Sequence, residues 1–296
     1  MKKKAYSFRS WLCKEHVAGY ILAAPFMFGF LAFVIAPMSL SFYFSFCDYN
    51  ILSPEKWVGL NNYIKLLSDP KLINALKVTF KYAFFSVPLK LTFSLLVALL
   101  LLRNTKAAPF YRAVYYVPSI MGASVAVSVL WRQVFTSDGL FNQVTGFNHS
   151  WLASTKTAIW VLILLSVWQF GSSMLIFSSA LKQIPRELYD AAKVDGAGKV
   201  SSFFRITLPL LTSTIFFNLI MQSINGLLVF VQGQIITAGK PMDSTNFYVL
   251  YMYKQAFQFS KAGYASAMGW VMVLMIIAFT AFLFATKKFW VYEGGY

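Results

Sequence analysis

IPRELYDAAKVDGAGKVSSFFRITLP, residues 184–209, is a long charged interruption between two strongly apolar stretches of the chain. Pro185, Arg186 and Glu187 open a predicted short helix, because proline is tolerated in a first helical turn and an acid there complements the helix dipole. Leu188, Tyr189, Ala191 and Ala192 give that helix an apolar, partly small-residue surface that another backbone can approach closely. Asp195-Gly196-Ala197-Gly198 stops it, with glycine supplying the positive φ of a tight exit. Ile206, Leu208 and Pro209 lead into the next apolar stretch. A short, rigid helix between two membrane spans is suited to being gripped by a partner.

The surroundings of that helix are membrane-like. The 296 residues are 58% hydrophobic and 18% aromatic but only 12% charged, about half the charged fraction of an ordinary soluble domain. Mean hydropathy is +0.61. The net charge of +16 does not indicate a nucleic-acid binder, since lysines and arginines fill the gaps between apolar runs and form no aromatic-interleaved patch. Cys13 and Cys47 flank the first apolar run, so they are expected on opposite sides of the membrane and unpaired. His16 and His149 stand apart with no cluster of ligands around them, and no metal site is expected.

Six apolar runs follow in order, at about 20–46, 80–102, 113–135, 157–181, 203–236 and 263–285. Each is long enough for a crossing of about 20 residues. The first is too long for a signal-peptide core, and Pro25 and Pro37 are expected to bend it. Residues 47–79 read as a polar connection, and Gly226 and Gly233 as interruptions of the fifth run. The expected organisation is a basic N-terminal segment at 1–19, a six-span domain at 20–286 and a tail at 287–296. Lys and Arg are densest in the N-terminal segment, the 103–112 and 182–205 loops and the C-terminus. The positive-inside rule therefore places both termini and the 182–205 loop in the cytoplasm.

No nucleophile–base set, paired carboxylates, phosphate-cradling loop or metal-binding spacing occurs, so no catalytic residue is predicted. None of the ten acids falls mid-span, which argues against a proton relay. The spans carry uncharged polarity instead. Asn218, Gln222 and Asn225 recur at helical spacing on one face, and Trp168, Gln169 and Ser172 cluster around Gly171. Amides and hydroxyls beside an aromatic ring suit a neutral polyhydroxylated ligand, although such residues also glue helices together in lipid. Lys90, deep in the second run, is expected to snorkel or bridge helices rather than touch cargo.

The 184–209 pattern resembles the cytoplasmic coupling loop of binding-protein-dependent ABC importers, written EAA, three residues, G, then I-x-L-P. It reads Asp190-Ala191-Ala192, Gly196 and Ile206-Thr207-Leu208-Pro209. Val58-Gly59-Leu60-Asn61-Asn62-Tyr63, Phe110-Tyr111-Arg112, Trp131-Arg132, Thr237-Ala238-Gly239-Lys240-Pro241 and Gly263-Tyr264-Ala265-Ser266-Ala267 are similar to the maltose- and glycerol-phosphate-type sugar permeases, in the same order along the chain. The resemblance implies an all-α, six-helix type I permease subunit in a bacterial cytoplasmic membrane. Its implied partners are a second permease, an ABC ATPase dimer that binds ATP and Mg, and an extracytoplasmic solute-binding protein. The chain itself would bind no cofactor.

Carried over, Glu187, Asp190, Ala191, Ala192 and Gly196 would form the contact with the ATPase, and Trp168, Gln169, Ser172, Gln222 and Asn225 would touch a carbohydrate, read as a neutral oligosaccharide. Three departures stand out: Asp190 replaces the motif's Glu, Leu211-Thr212-Ser213 replaces a second proline, and the amide positions differ from those of the maltose permease. The rival cargo is a polyol phosphate or another small organic solute, which would favour a cation in the cavity, and Lys90 is the candidate. An ion-coupled carrier or membrane-embedded enzyme fits the patterned loop poorly.

Overall fold

The computed structural model describes residues 15–50, 53–102, 107–122 and 124–292. Expectations placed on Cys13, on Arg103 and Lys106 and on the extreme ends lie outside the described residues. Helices dominate, as expected; the strands, Cys47–Asp48 (β1) and Lys56–Trp57 (β2), form one short antiparallel pair. The chain falls into two compact units, 1–67 with 255–271, and 68–254 with 272–296.

In the first unit, Glu15–Phe30 (α1), a π-helical turn Leu31–Ile35 and Ala36–Ser45 (α2) run on from one another. The Ala36 amide donates to the Leu31 carbonyl. Pro37 has no N–H to offer, and a widened turn just before it relieves the clash that proline makes in a regular helix. The apolar window within Gly19–Ser45 has none of its residues buried, a surface for lipid or another protein to cover. After β1 and β2, Asn61–Ser68 (α3) closes the unit. The Asn62 side chain is buried and donates to the carbonyls of Ser45 (2.9 Å) and Cys47 (2.8 Å). Ser45 Oγ and Tyr63 OH lie 2.7 Å apart, and the Gly263 amide donates to the Tyr49 carbonyl. Two of the sequence stretches that carry the resemblance thus fasten the end of the first span.

The second unit is built on Pro70–Leu100 (α4). It starts well before Phe80, where the apolar run was expected to begin. The signal is Asp69-Pro70: the Asp69 carboxylate accepts from the Lys71 and Leu72 amides, and Pro70 sits where a helix needs no N–H. Lys71, Lys77 and Lys81 hid this turn from hydropathy. Tyr251 OH donates to the other oxygen of Asp69 (2.8 Å).

The third and fourth runs are each broken rather than straight. Ala108–Met121 (α5) and Val125–Val134 (α6) part at Gly122, and Ala158–Trp168 (α8) and Gly171–Gln183 (α9) bend by 42° at Gln169-Phe170. Between these pairs lies the short helix Leu140–Thr145 (α7). The fifth run begins at Lys199–Ser202 (α11), passes a π-helical turn at Phe203–Thr207 and continues as Leu208–Leu227 (α12). The regular helix stops beside Gly226, at Leu227, where the run was expected to be interrupted. A Cβ on Gly226 would touch Ala83 and Val87 at 3.4 Å, so this glycine also lets α12 pack closely on α4. Gly233 lies inside a π-helical turn, Gly233–Thr237, against the Phe247 ring. After Tyr248–Tyr253 (α13), Ala262–Trp290 (α14) continues through Lys287 and Lys288, past the expected start of the tail. Among the described residues, four helices are long and apolar enough to cross a membrane, or up to six if each bent pair is one span.

Candidate functional site

Two groups of residues stand out, one on an exposed helix and one around a cavity within the second unit. The exposed helix is Arg186–Val194 (α10), and none of its residues is buried. Pro185 precedes it in extended backbone, Glu187 lies in its first turn and Lys193 in its last. At its end the Ala197 amide donates to the Ala192 carbonyl (2.8 Å) and the Gly196 amide to that of Lys193 (3.0 Å). This exit needs φ +76° at Gly196, a left-handed value that costs a side-chain-bearing residue on the order of 1–2 kcal/mol.

Tyr189 fixes the helix to the protein: its hydroxyl lies 2.8 Å from Oγ1 of the buried Thr207, at the foot of α12. Asp190 pairs with Lys193 at 2.7 Å, both side chains well exposed. That hydrogen bond and the lysine charge hold the Asp190 carboxyl below the usual carboxylate range. Glu187, Asp190 and Ala191 are exposed and Ala192 is half-buried. The predicted helix, its start and its glycine exit are all present.

The cavity holds about 390 Å³, within the size range of small-ligand sites. Gln169, Ser172, Gln222 and Asn225 all line it, so residues far apart in sequence meet as anticipated. Trp168 does not line it; that ring packs against Trp131 at 5.6 Å between centroids. Asn218 is also absent from the wall. It is buried, and its amide donates to the Thr214 carbonyl one turn back.

The wall is made by the two helix breaks, which are stitched to each other. Gln169 Nε2 donates to the Gly122 carbonyl (2.8 Å), and Ser119 Oγ donates to the Gln169 carbonyl (3.1 Å) while accepting from the Ser172 amide (2.9 Å). A Cβ on Gly171 would come within 2.2 Å of the Tyr115 carbonyl oxygen and 2.7 Å of the Tyr116 Cα. Breaks in membrane helices are tolerated where such bonds replace the lost ladder, and they mark ligand sites in transporters.

A further relay runs from Tyr82 OH to Gln232 Oε1 (3.3 Å) and from Gln232 Nε2 to Gln169 Oε1 (3.2 Å). Gln222 Nε2 donates to Ser173 Oγ (3.2 Å). Asn225 is exposed and makes no hydrogen bond among the described residues. Gln169 therefore acts largely as structure, while Asn225 is free to meet a ligand. Gln232 and Lys90 also line the cavity. Gln232 sits beyond the helix end at Leu227, so no helical spacing relates it to Gln222. Lys90, expected to snorkel or bridge helices and named as the cation that a charged cargo would favour, lines the cavity.

Residues 71–289 match the family described as "Binding-protein-dependent transport system inner membrane component". The chain belongs to that family. The Bacillus subtilis "Probable ABC transporter permease protein YesP" is 45% identical to this family member, over 98% of this chain and 95% of its own. The B. subtilis arabinooligosaccharides transport system permease protein AraP is 29% identical over 93% and 90%. Among solved structures, a chain of a bacterial alginate ABC transporter in complex with an alginate pentasaccharide-bound periplasmic protein superposes with TM-score 0.79. It has 19% identity and covers 97% of this chain and 98% of its own, a likeness that shows the permease fold. The chain is thus a multi-pass ABC importer permease.

Proposed function

We propose that this permease moves a carbohydrate across a bacterial cytoplasmic membrane, driven by ATP hydrolysed on a separate ATPase dimer. A second permease would complete the pathway, and an extracytoplasmic binding protein would deliver the sugar. Both termini and α10 would face the cytoplasm. The observation that carries the reading is α10: a helix with no buried residue, tied by Tyr189 to Thr207 and closed at its C-terminal end by the Gly196 turn. Glu187, Asp190, Ala191 and Ala192 would be its ATPase-facing surface.

In this reading ATPase closure pushes α10 as a rigid body, and the motion reaches α12 through Thr207. Because α12 carries Gln222 and Asn225, the same motion alternates access to the cavity. Sugar names among the relatives, arabinooligosaccharides included, support the cargo class. Each neutral hydrogen bond is worth about 1 kcal/mol. Gln222→Ala combined with Asn225→Ala should therefore lower subsaturating uptake in proteoliposomes of the whole importer by roughly 10- to 30-fold. Complex recovery should be unchanged. Unaltered uptake would remove these amides from the pathway, and uptake without ATP would overturn the importer reading.

A further inference from the structure

Lys90 turns the question of cargo charge around. It stands well inside α4, where a cation is costly unless something compensates it. Its side chain lines the cavity, and none of the residues lining that cavity is acidic. Among the described residues its ammonium makes no ion pair. The neighbouring groups are neutral: Asn225, with no hydrogen bond of its own among the described residues, Gln222, and the hydroxyls of Ser86 and Ser172. A cation held in an acid-free polar cavity is completed by an anion arriving with the cargo. One ammonium balances one charge, which fits a carboxylate; a phosphate monoester brings about 1.5 to 2 negative charges and calls for a second cation.

We propose that the cavity takes a carbohydrate bearing a carboxylate, a uronate-containing oligosaccharide, and that Lys90 is the residue that selects it. Lys90 accepts the carboxylate as a charge-assisted partner, while the amides and hydroxyls meet the sugar's own hydroxyls. This rests on the carbohydrate reading above, and it replaces the neutral sugar expected from the sequence, where Lys90 was the lone candidate for a cation in the cavity.

The test is uptake by the complete importer, with its own binding protein, in proteoliposomes. The probes are a uronate-terminated trisaccharide, its methyl ester and glycerol phosphate, each with wild type, Lys90→Gln and Lys90→Arg. A charge-assisted hydrogen bond predicts that Lys90→Gln slows uronate uptake about 10- to 100-fold. Lys90→Arg should stay within about threefold of wild type, and uptake of the ester should change less than twofold.

Wild-type preference for the ester, or for glycerol phosphate, overturns the proposal. So does an equal loss of every cargo with poorer recovery of the second permease, which would show Lys90 paired to an acid across that interface. If wild type imports neutral sugars but no uronate, this proposal falls and the carbohydrate reading stands. If it imports no sugar at all, both fall.

Discussion

Gly196→Val should reduce ATP-driven uptake at least tenfold while the protein still inserts into the membrane at normal levels. The left-handed backbone at Gly196, φ +76°, is strongly disfavoured for a β-branched residue. A penalty on the order of 1–2 kcal/mol is enough to shift the exit turn to another conformation most of the time. No atom lies within 4 Å of where the new Cβ would sit, so crowding plays no part. The loss is therefore of geometry: the turn that joins Ala197 to the Ala192 carbonyl opens, and α10 no longer transmits a push as a rigid body. Gly196→Asn separates the two causes, because asparagine tolerates this conformation, and should keep most of the uptake. Equal loss in both variants, measured against membrane-inserted protein, would assign Gly196 a role other than its backbone shape.

Gly171→Ala should act on the fold itself. The added methyl would meet the backbone of Tyr115 and Tyr116 at 2.2 and 2.7 Å, and backbone cannot step aside as a flexible side chain can. Overpacking of this kind costs on the order of 1–3 kcal/mol, occasionally more. Thermal unfolding in detergent should start roughly 4–10 °C lower. Because α9 would be pushed off α5, the bonds joining the two helix breaks, Gln169 to Gly122 and Ser119 to Ser172, should weaken together, and uptake should fall with them. Gly198→Ala is the control, since its Cβ meets nothing within 4 Å at an ordinary φ of −72°. A Gly171→Ala protein as stable as that control would contradict the close approach of the two breaks.

What could be read from residues alone follows the range of the interactions. Helix α10 was legible because Pro185, Glu187 and Gly196 act within a few positions of one another. The six apolar runs were legible because lipid sets their length whatever they pack against. The breaks at Gly122 and Gln169 were not: hydropathy stays high across both, and what makes them stable is bonding between segments some fifty residues apart. The start of α4 is written in Asp69-Pro70, but lysines on the following turns lower the hydropathy that marks the apolar run.

Gly226 shows two roles at one position: it stands at the break expected in the fifth run, beside the helix end at Leu227, and it lets α12 approach α4 closely. Gln222 and Asn225 reached the cavity as expected because helical spacing keeps them near one another on one helix. Trp168 did not reach the cavity, because whether a lipid-depth residue faces a cavity, a neighbour or its own helix depends on the packing of whole helices.

The central claim is that α10 carries force from an ATPase. Its most direct test is purification of the tagged chain from its native host in mild detergent, with the co-purifying subunits identified by mass spectrometry. Wild type should bring an ABC ATPase and a second six-span permease, and Gly196→Val should keep the second permease while losing the ATPase. A chain that purifies alone and moves solute in vesicles without ATP would contradict the account.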